Sequence, residues 1–176
     1  MELNALTAIS PVDGRYRKTT ESLDIYFSEF GLIKYRVLVE IEYFIALAQA
    51  DLPQLPAMDA SQKQALRTIY KNFTLEDALK IKDTEKTTNH DVKAVEYFIK
   101  KKLEGLNLLV YAEFVHFGLT SQDINNTSIP LSLKEASVTV LFPAIKGIIE
   151  KIIAFSHDWK DITLLARTHE IGRAHV

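Results

Sequence analysis

The stretch from Thr120 to about Lys160 constrains this chain most, because it contains hardly a turn signal and Gly147 is its only glycine. Ile145, Ile148, Ile149, Ile152, Phe155 and Trp159 recur there at helical steps, and Leu131, Val138 and Leu141 carry the stripe backwards. A helix of about 38 residues would be roughly 57 Å long at 1.5 Å per residue, well beyond the usual three to four turns. Pro130 and Pro143 lie inside it. Each removes a backbone donor and predicts a kink or a break. A stripe of this length needs other helices to cover it, and few segments follow it. Its bundle partners are therefore expected from further sequence, from other subunits, or both.

The rest of the chain also reads as helical. Phe30, Ile33, Val37, Ile41, Phe44, Ile45 and Ala48 form one stripe over residues 28–50. Pro53 and Pro56 make residues 51–59 a connector, and Asp59 with Gln62 is a capping pair for a second helix carrying Leu66, Ile69 and Tyr70. Thr74 and Asp77 predict a short helix to about Asp83, followed by a polar stretch to Asp91. Val92, Val95, Phe98, Ile99 and Leu103 resume helical spacing, with Gly105 as a stop. No strand alternation, repeat or low-complexity segment is present. The expectation is an all-α architecture: a compact helical region to about residue 115, then one long helix.

Composition narrows the classes. With 176 residues, 47% of them hydrophobic, the chain has the make-up of one globular domain or slightly more, which excludes wholesale disorder. A formal charge of −2 leaves no basic footprint for nucleic acid. The absence of cysteine excludes a disulfide framework, a thiolate zinc site and a cysteine nucleophile. No apolar run is long enough for a membrane span, and Met1-Glu2-Leu3-Asn4 has no signal-peptide character. A soluble cytoplasmic protein is expected.

Four polar clusters interrupt the apolar pattern. Ser10-Pro11-Val12-Asp13-Gly14-Arg15-Tyr16 is a loop whose Arg-Tyr pair either clamps an anion or is an exposed turn. Thr87 to Lys93 precedes a helix, so Thr88 or Asn89 is the expected N-cap. His90 beside Asp91 is either a proton carrier with an orienting carboxylate or an incidental neighbour of the cap. In His116 to Thr127, Thr120 and Ser121 open the long helix. The crowding of Gln122, Asp123, Asn125 and Asn126 suits either a hydroxylated or anionic ligand or a solvated first turn. Arg167-Thr168-His169 offers an imidazole that is either a general acid or a structural residue. His116 and His157 read as helix residues, and no pair of His or carboxylates has convincing metal spacing.

These clusters occur in the order and spacing of the adenylosuccinate lyase family, within the fumarase/aspartase superfamily. The chain resembles the bacterial long form through S-P-V-D-G-R-Y, T-T-N-H-D-V-K-A-V-E-Y-F and T-S-Q-D-I-N-N, over essentially residues 1–169. The resemblance implies an N-terminal helical domain over 1–115, the start of the central helical bundle over 116–169, and a homotetramer with composite active sites. It implies elimination of fumarate from adenylosuccinate, leaving AMP, and the parallel cleavage of the succinyl-carboxamide ribonucleotide of purine synthesis. No metal or organic cofactor is implied. Arg15 and Tyr16 match the nucleotide-binding pair, and Asn89, His90 and Asp91 match the second substrate loop. Thr120 and Ser121 match hydroxyls that hold the succinyl part, and His169 matches the general acid. Other superfamily lyases, such as argininosuccinate lyase or fumarase, fit these motifs less well. A short helical assembly module is the reading from a different class.

The family continues after T-H with Gly-Gln, further helices, and a Ser-rich loop that supplies the base. Here Glu170-Ile171-Gly172-Arg173-Ala174-His175-Val176 follows instead. A common sequencing adapter translates to this heptapeptide in one frame, so residues 170–176 are expected to be a non-native tail on a truncated, inactive chain.

Overall fold

A computed structural model describes residues 10–163 and Leu165. The helices are α1 (Arg17–Thr20), α2 (Asp24–Phe27), α3 (Glu29–Leu47), α4 (Ala60–Lys71), α5 (Leu75–Thr88), α6 (Asp91–Glu104), α7 (Ser121–Ala136) and α8 (Phe142–Trp159). Short 3-10 segments lie at Glu21–Leu23 and Leu109–Phe114. Among the described residues there is no strand, and no helix is long and apolar enough to cross a membrane.

The fold is organised around α3. Ser28 caps it, its Oγ accepting from Gly31 N–H at 3.2 Å. A side chain on Gly31 would meet the Tyr26 backbone at 2.8 Å, so glycine lets α2 turn tightly into α3. Ile33, Val37, Ile41, Phe44 and Ile45 follow the expected stripe into the core with Leu66, Ile81, Val95, Ile99 and Leu103. The opposite side of α3 is buried too: Tyr35, Arg36, Val39 and Glu40 are covered, because α4, α6 and α7 all pack on this helix. Full burial of each large apolar side chain contributes about 1.5–3 kcal/mol, so α3 carries much of the fold's stability.

The Asp59–Gln62 capping box forms as expected, with Gln62 N–H donating to Asp59 Oδ1 at 2.8 Å. Thr74 caps α5, but α5 runs to Thr88 rather than ending near Asp83. Ile81 anchors it in the core, and its polar residues pair along the surface: Lys82 with Glu85 at 2.7 Å and with Glu29 at 3.1 Å, Lys86 with Asp83 at 3.1 Å. Asn89 ends α5 in the left-handed conformation (φ 51°). It is therefore a C-cap. The N-cap of α6 is His90, whose Nδ1 accepts from Lys93 N–H at 3.2 Å. Neither Thr88 nor Asn89 takes that role.

The long stretch is helical from Ser121 to Trp159, with a π-helical turn at Ser137–Leu141 joining α7 to α8. Pro130 leaves α7 continuous, whereas Pro143 follows directly on the π turn. The extra residue per turn there relieves the clash a proline ring makes with the carbonyl four residues back. Ile124, Ser128, Ser132 and Ala136 form the buried edge of α7, and three of them are small enough for α7 to lie close against the body. By contrast, α8 has no buried residue. Its Phe155 and Trp159 rings stack on each other at 4.6 Å, in solvent. His116, expected in a helix, sits in the turn before α7 with φ 62°, and Gly118 follows with φ 71°.

Candidate functional site

Two helix starts, those of α6 and α7, open on one cleft of about 340 Å³ lined by His90, Lys93, Glu96, His116, Leu119, Thr120 and Ser121. Helix N-termini present free backbone N–H groups and favour negative charge. Local sequence makes both starts. His90 caps α6, and Asp123 closes the start of α7, its Oδ2 accepting from both the N–H and the hydroxyl of Thr120 at 2.7 Å. Those bonds hold Asp123 below the usual carboxylate range.

His90 is the pivot. Because its Nδ1 accepts from Lys93 N–H, the neutral ring carries its proton on Nε2, which lies 3.4 Å from Ser121 Oγ. Asp91 makes no hydrogen bond to this ring: its Oδ1 stands 3.8 Å from Nδ1, which is already taken by the Lys93 N–H. One oxygen accepts from Val92 N–H at 2.8 Å and the other pairs with buried Arg36 at 2.8 Å. Arg36 also donates from Nε to Asn125 Oδ1 at 3.0 Å. One guanidinium thus ties the start of α6 to the first turns of α7 and sets the spacing of the cleft walls. Lys93 is held by both oxygens of Glu96, at 2.8 and 2.9 Å. Burial pushes the Glu96 carboxyl up, but the bonds from Lys93 and Lys100 outweigh it and leave it below the ordinary range.

Of the residues anticipated from sequence, His90, Thr120 and Ser121 line the cleft. Asn89 and Asp91 flank His90 in the chain but serve as a C-cap and as the partner of Arg36. Arg15 and Tyr16 engage each other, with the guanidinium 4.6 Å from the ring centroid and a 2.8 Å bond to the hydroxyl, and lie outside the lining. His169 lies outside the described residues, as do residues 170–176. Sequence reasoning missed His116, Glu40 and Arg36. The only signal was two charged residues four apart inside the apolar helix at 28–50, and its meaning depends on the far side of that helix being buried. A larger groove of about 520 Å³, lined in part by Lys80, Asp83, Tyr97 and Lys102, contains none of the anticipated residues, and Lys80 and Lys102 are engaged by Glu76 and Asp77. No cluster of three metal-holding side chains occurs among the described residues.

A family model described as Lyase matches residues 10–171, nearly the whole chain. The chain belongs to the lyase family. Its relatives in that family include proteins named adenylosuccinate lyase from Dictyostelium discoideum (55% identical), Vibrio cholerae (53%) and Escherichia coli K12 (47%). Each match covers 96% of this chain but only 37–38% of the relative. The chain thus spans well under half the length of the lyases it matches, and its cleft is made from its T-T-N-H-D and T-S-Q-D segments and the residues next to them.

Proposed function

We propose that this chain is the amino-terminal part of an adenylosuccinate lyase, eliminating fumarate from adenylosuccinate to leave AMP, and from the succinyl-carboxamide ribonucleotide in the parallel reaction. The carrying observation is the 43–55% identity to proteins of that name along nearly the whole chain. In this reading residues 1–115 are the N-terminal helical domain, and 116–169 begin the central bundle of a cytoplasmic homotetramer.

Elimination breaks the C–N bond. A base takes the proton from the carbon beside a carboxylate, and an acid returns one to the leaving nitrogen. His169 is the assigned acid, and the base comes from a later segment of the longer enzyme. Negative charge gathers on the carboxylate as the proton leaves, and preorganised donors facing that charge lower the barrier. The Nε2–H of His90 and the Ser121 hydroxyl, at the starts of α6 and α7, supply such donors. Arg15 and Tyr16 bind the nucleotide, and Asn89 and Asp91 set the substrate loop around His90.

The test is a chimera in which residues 1–169 replace the matching part of the Vibrio cholerae relative. It should release fumarate from adenylosuccinate, whereas the 176-residue chain alone should release none. In the active chimera His169→Ala should lower kcat by roughly 10²–10⁴-fold, the usual size of a general acid term, with substrate binding changed much less. A folded, assembled chimera without turnover contradicts the reading.

A further inference from the structure

Glu40 sits in the middle of α3 with no solvent exposure. Its Oε1 meets Nδ1 of His116, and its Oε2 has no hydrogen-bond partner among the described residues. A buried carboxylate with an unpaired oxygen is costly, and an apolar side chain of similar volume is often at least as stable in such a place. Burial accordingly pushes the Glu40 carboxyl above its ordinary value, and the bond from His116 pulls it only part of the way back. The partner carries a cost of its own, since His116 holds a left-handed backbone (φ 62°) that few residues other than glycine adopt. Two unfavourable features thus meet in one contact, and that contact fixes a ring that lines the cleft beside His90 and Ser121.

We propose that Glu40 is a positioning residue of the cleft, holding the His116 ring by Nδ1 so that Nε2 is presented to an anionic group of the ligand. An ionised carboxylate only accepts, so the Nδ1–H must point at Glu40. When a phosphate or carboxylate oxygen binds, the ring takes a second proton from solvent and donates Nε2–H to it, and the buried carboxylate balances the imidazolium. This rests on the cleft being the ligand site proposed above, but not on the ligand being a nucleotide.

The test uses the whole 176-residue chain with 15N-labelled histidine, titrated separately with AMP, fumarate and inorganic phosphate. Unliganded, His116 should show a protonated Nδ1, and at least one probe should move its Nε2 towards the protonated range. Glu40→Gln can offer either an acceptor or a donor, so it should lose the Nδ1–H preference and weaken that probe about tenfold, a change of about 1.4 kcal/mol. His116→Asn tolerates the left-handed turn. It should weaken the probe equally, and adding Glu40→Gln to it should do nothing more. A purely structural Glu40 would alter the melting temperature and leave tautomer and affinity alone, which overturns the proposal. So does a His116 signal that no probe moves. A response to phosphate or fumarate but not AMP upholds the positioning role and removes the nucleotide reading instead.

Discussion

Helices α3 and α8 have 19 and 18 residues and are both rich in isoleucine, yet ten residues of α3 are buried and none of α8 is. Both carry an apolar stripe at helical spacing, so the difference does not lie in the helices themselves. It lies in what packs on them: α4, α6 and α7 cover α3, while no described element covers α8. Burial, and with it most of the stability a helix contributes, belongs to the assembly of elements. The cleft follows the same division. Its walls are fixed by α3 through Arg36 and Glu40, whereas no residue of α8 lines it.

The largest effect that distinguishes the two regions should come from truncating their side chains. Phe44→Ala in α3 should cost about 3–5 kcal/mol, a large part of the 5–15 kcal/mol typical of a whole domain. Ile149→Ala in α8 should stay within about 0.5 kcal/mol, as for other exposed sites. Urea titrations of both variants make the check. Equal losses would mean that α8 is packed in solution.

Arg36→Met should cost about 2 kcal/mol, the size expected when a charged hydrogen-bond donor is lost from buried partners. The cost is moderate because Asp91 is 44% exposed and can turn to water. The loss should appear in thermal melts, with the His90 ring signals displaced because the starts of α6 and α7 are no longer tied together. Unmoved His90 signals would deny Arg36 its part in building the cleft.

On α8, Ile148 and Ile152 are each 61% exposed. Contiguous apolar area beyond a few hundred Å² normally means association. Replacing both with lysine should weaken self-association at least about tenfold, or 1.4 kcal/mol, as read by sedimentation over a concentration series, with the melting temperature nearly unchanged. A wild-type chain that stays monomeric at high concentration would remove the interface role of α8.

The smallest effect concerns Glu42. Hydrogen bonds from Arg67 (2.7 and 2.8 Å) and Tyr70 (2.8 Å) lower its pKa against the opposing effect of burial. A carboxyl lowered in the folded state stabilises fully above its unfolded value of about 4.3 and loses that contribution as pH falls through the folded value. Glu42 and Arg67 are about one-third exposed, so screening keeps the contribution to roughly 0.5–1 kcal/mol. Glu42→Gln should therefore lower stability by that amount at neutral pH and converge with wild type in acid.

Much of this was legible in the residues. The stripe at 28–50, the Asp59 cap and the helical stretch after Thr120 follow from spacing alone, because they depend only on neighbours in the chain. The true end of α5 was hidden because Asp83 to Thr88 are polar, and their helix is held by Ile81 in the core and by ion pairs, one of them reaching Glu29 on α3. The cap role of His90 was hidden because Asn89 was free to be a cap until its left-handed backbone was known. For the site, the motifs pointed to His90, Thr120 and Ser121, which the fold brings to one cleft because helix starts are sequence features. Arg36 and Glu40 were opaque. A charge on an apolar helix ordinarily reads as its solvent face, and only the packing of α6 and α7 turns these two inward.

Hydrogen exchange of α3 and α8 amides, followed in one sample from dilute to concentrated, tests the contrast between them most directly. Helix α3 should be protected to the level of global unfolding at every concentration. Helix α8, with no described element to cover its stripe, should exchange orders of magnitude faster at dilution and slow as the chains associate. Protection of α8 equal to that of α3 in the most dilute, monomeric sample would contradict that contrast.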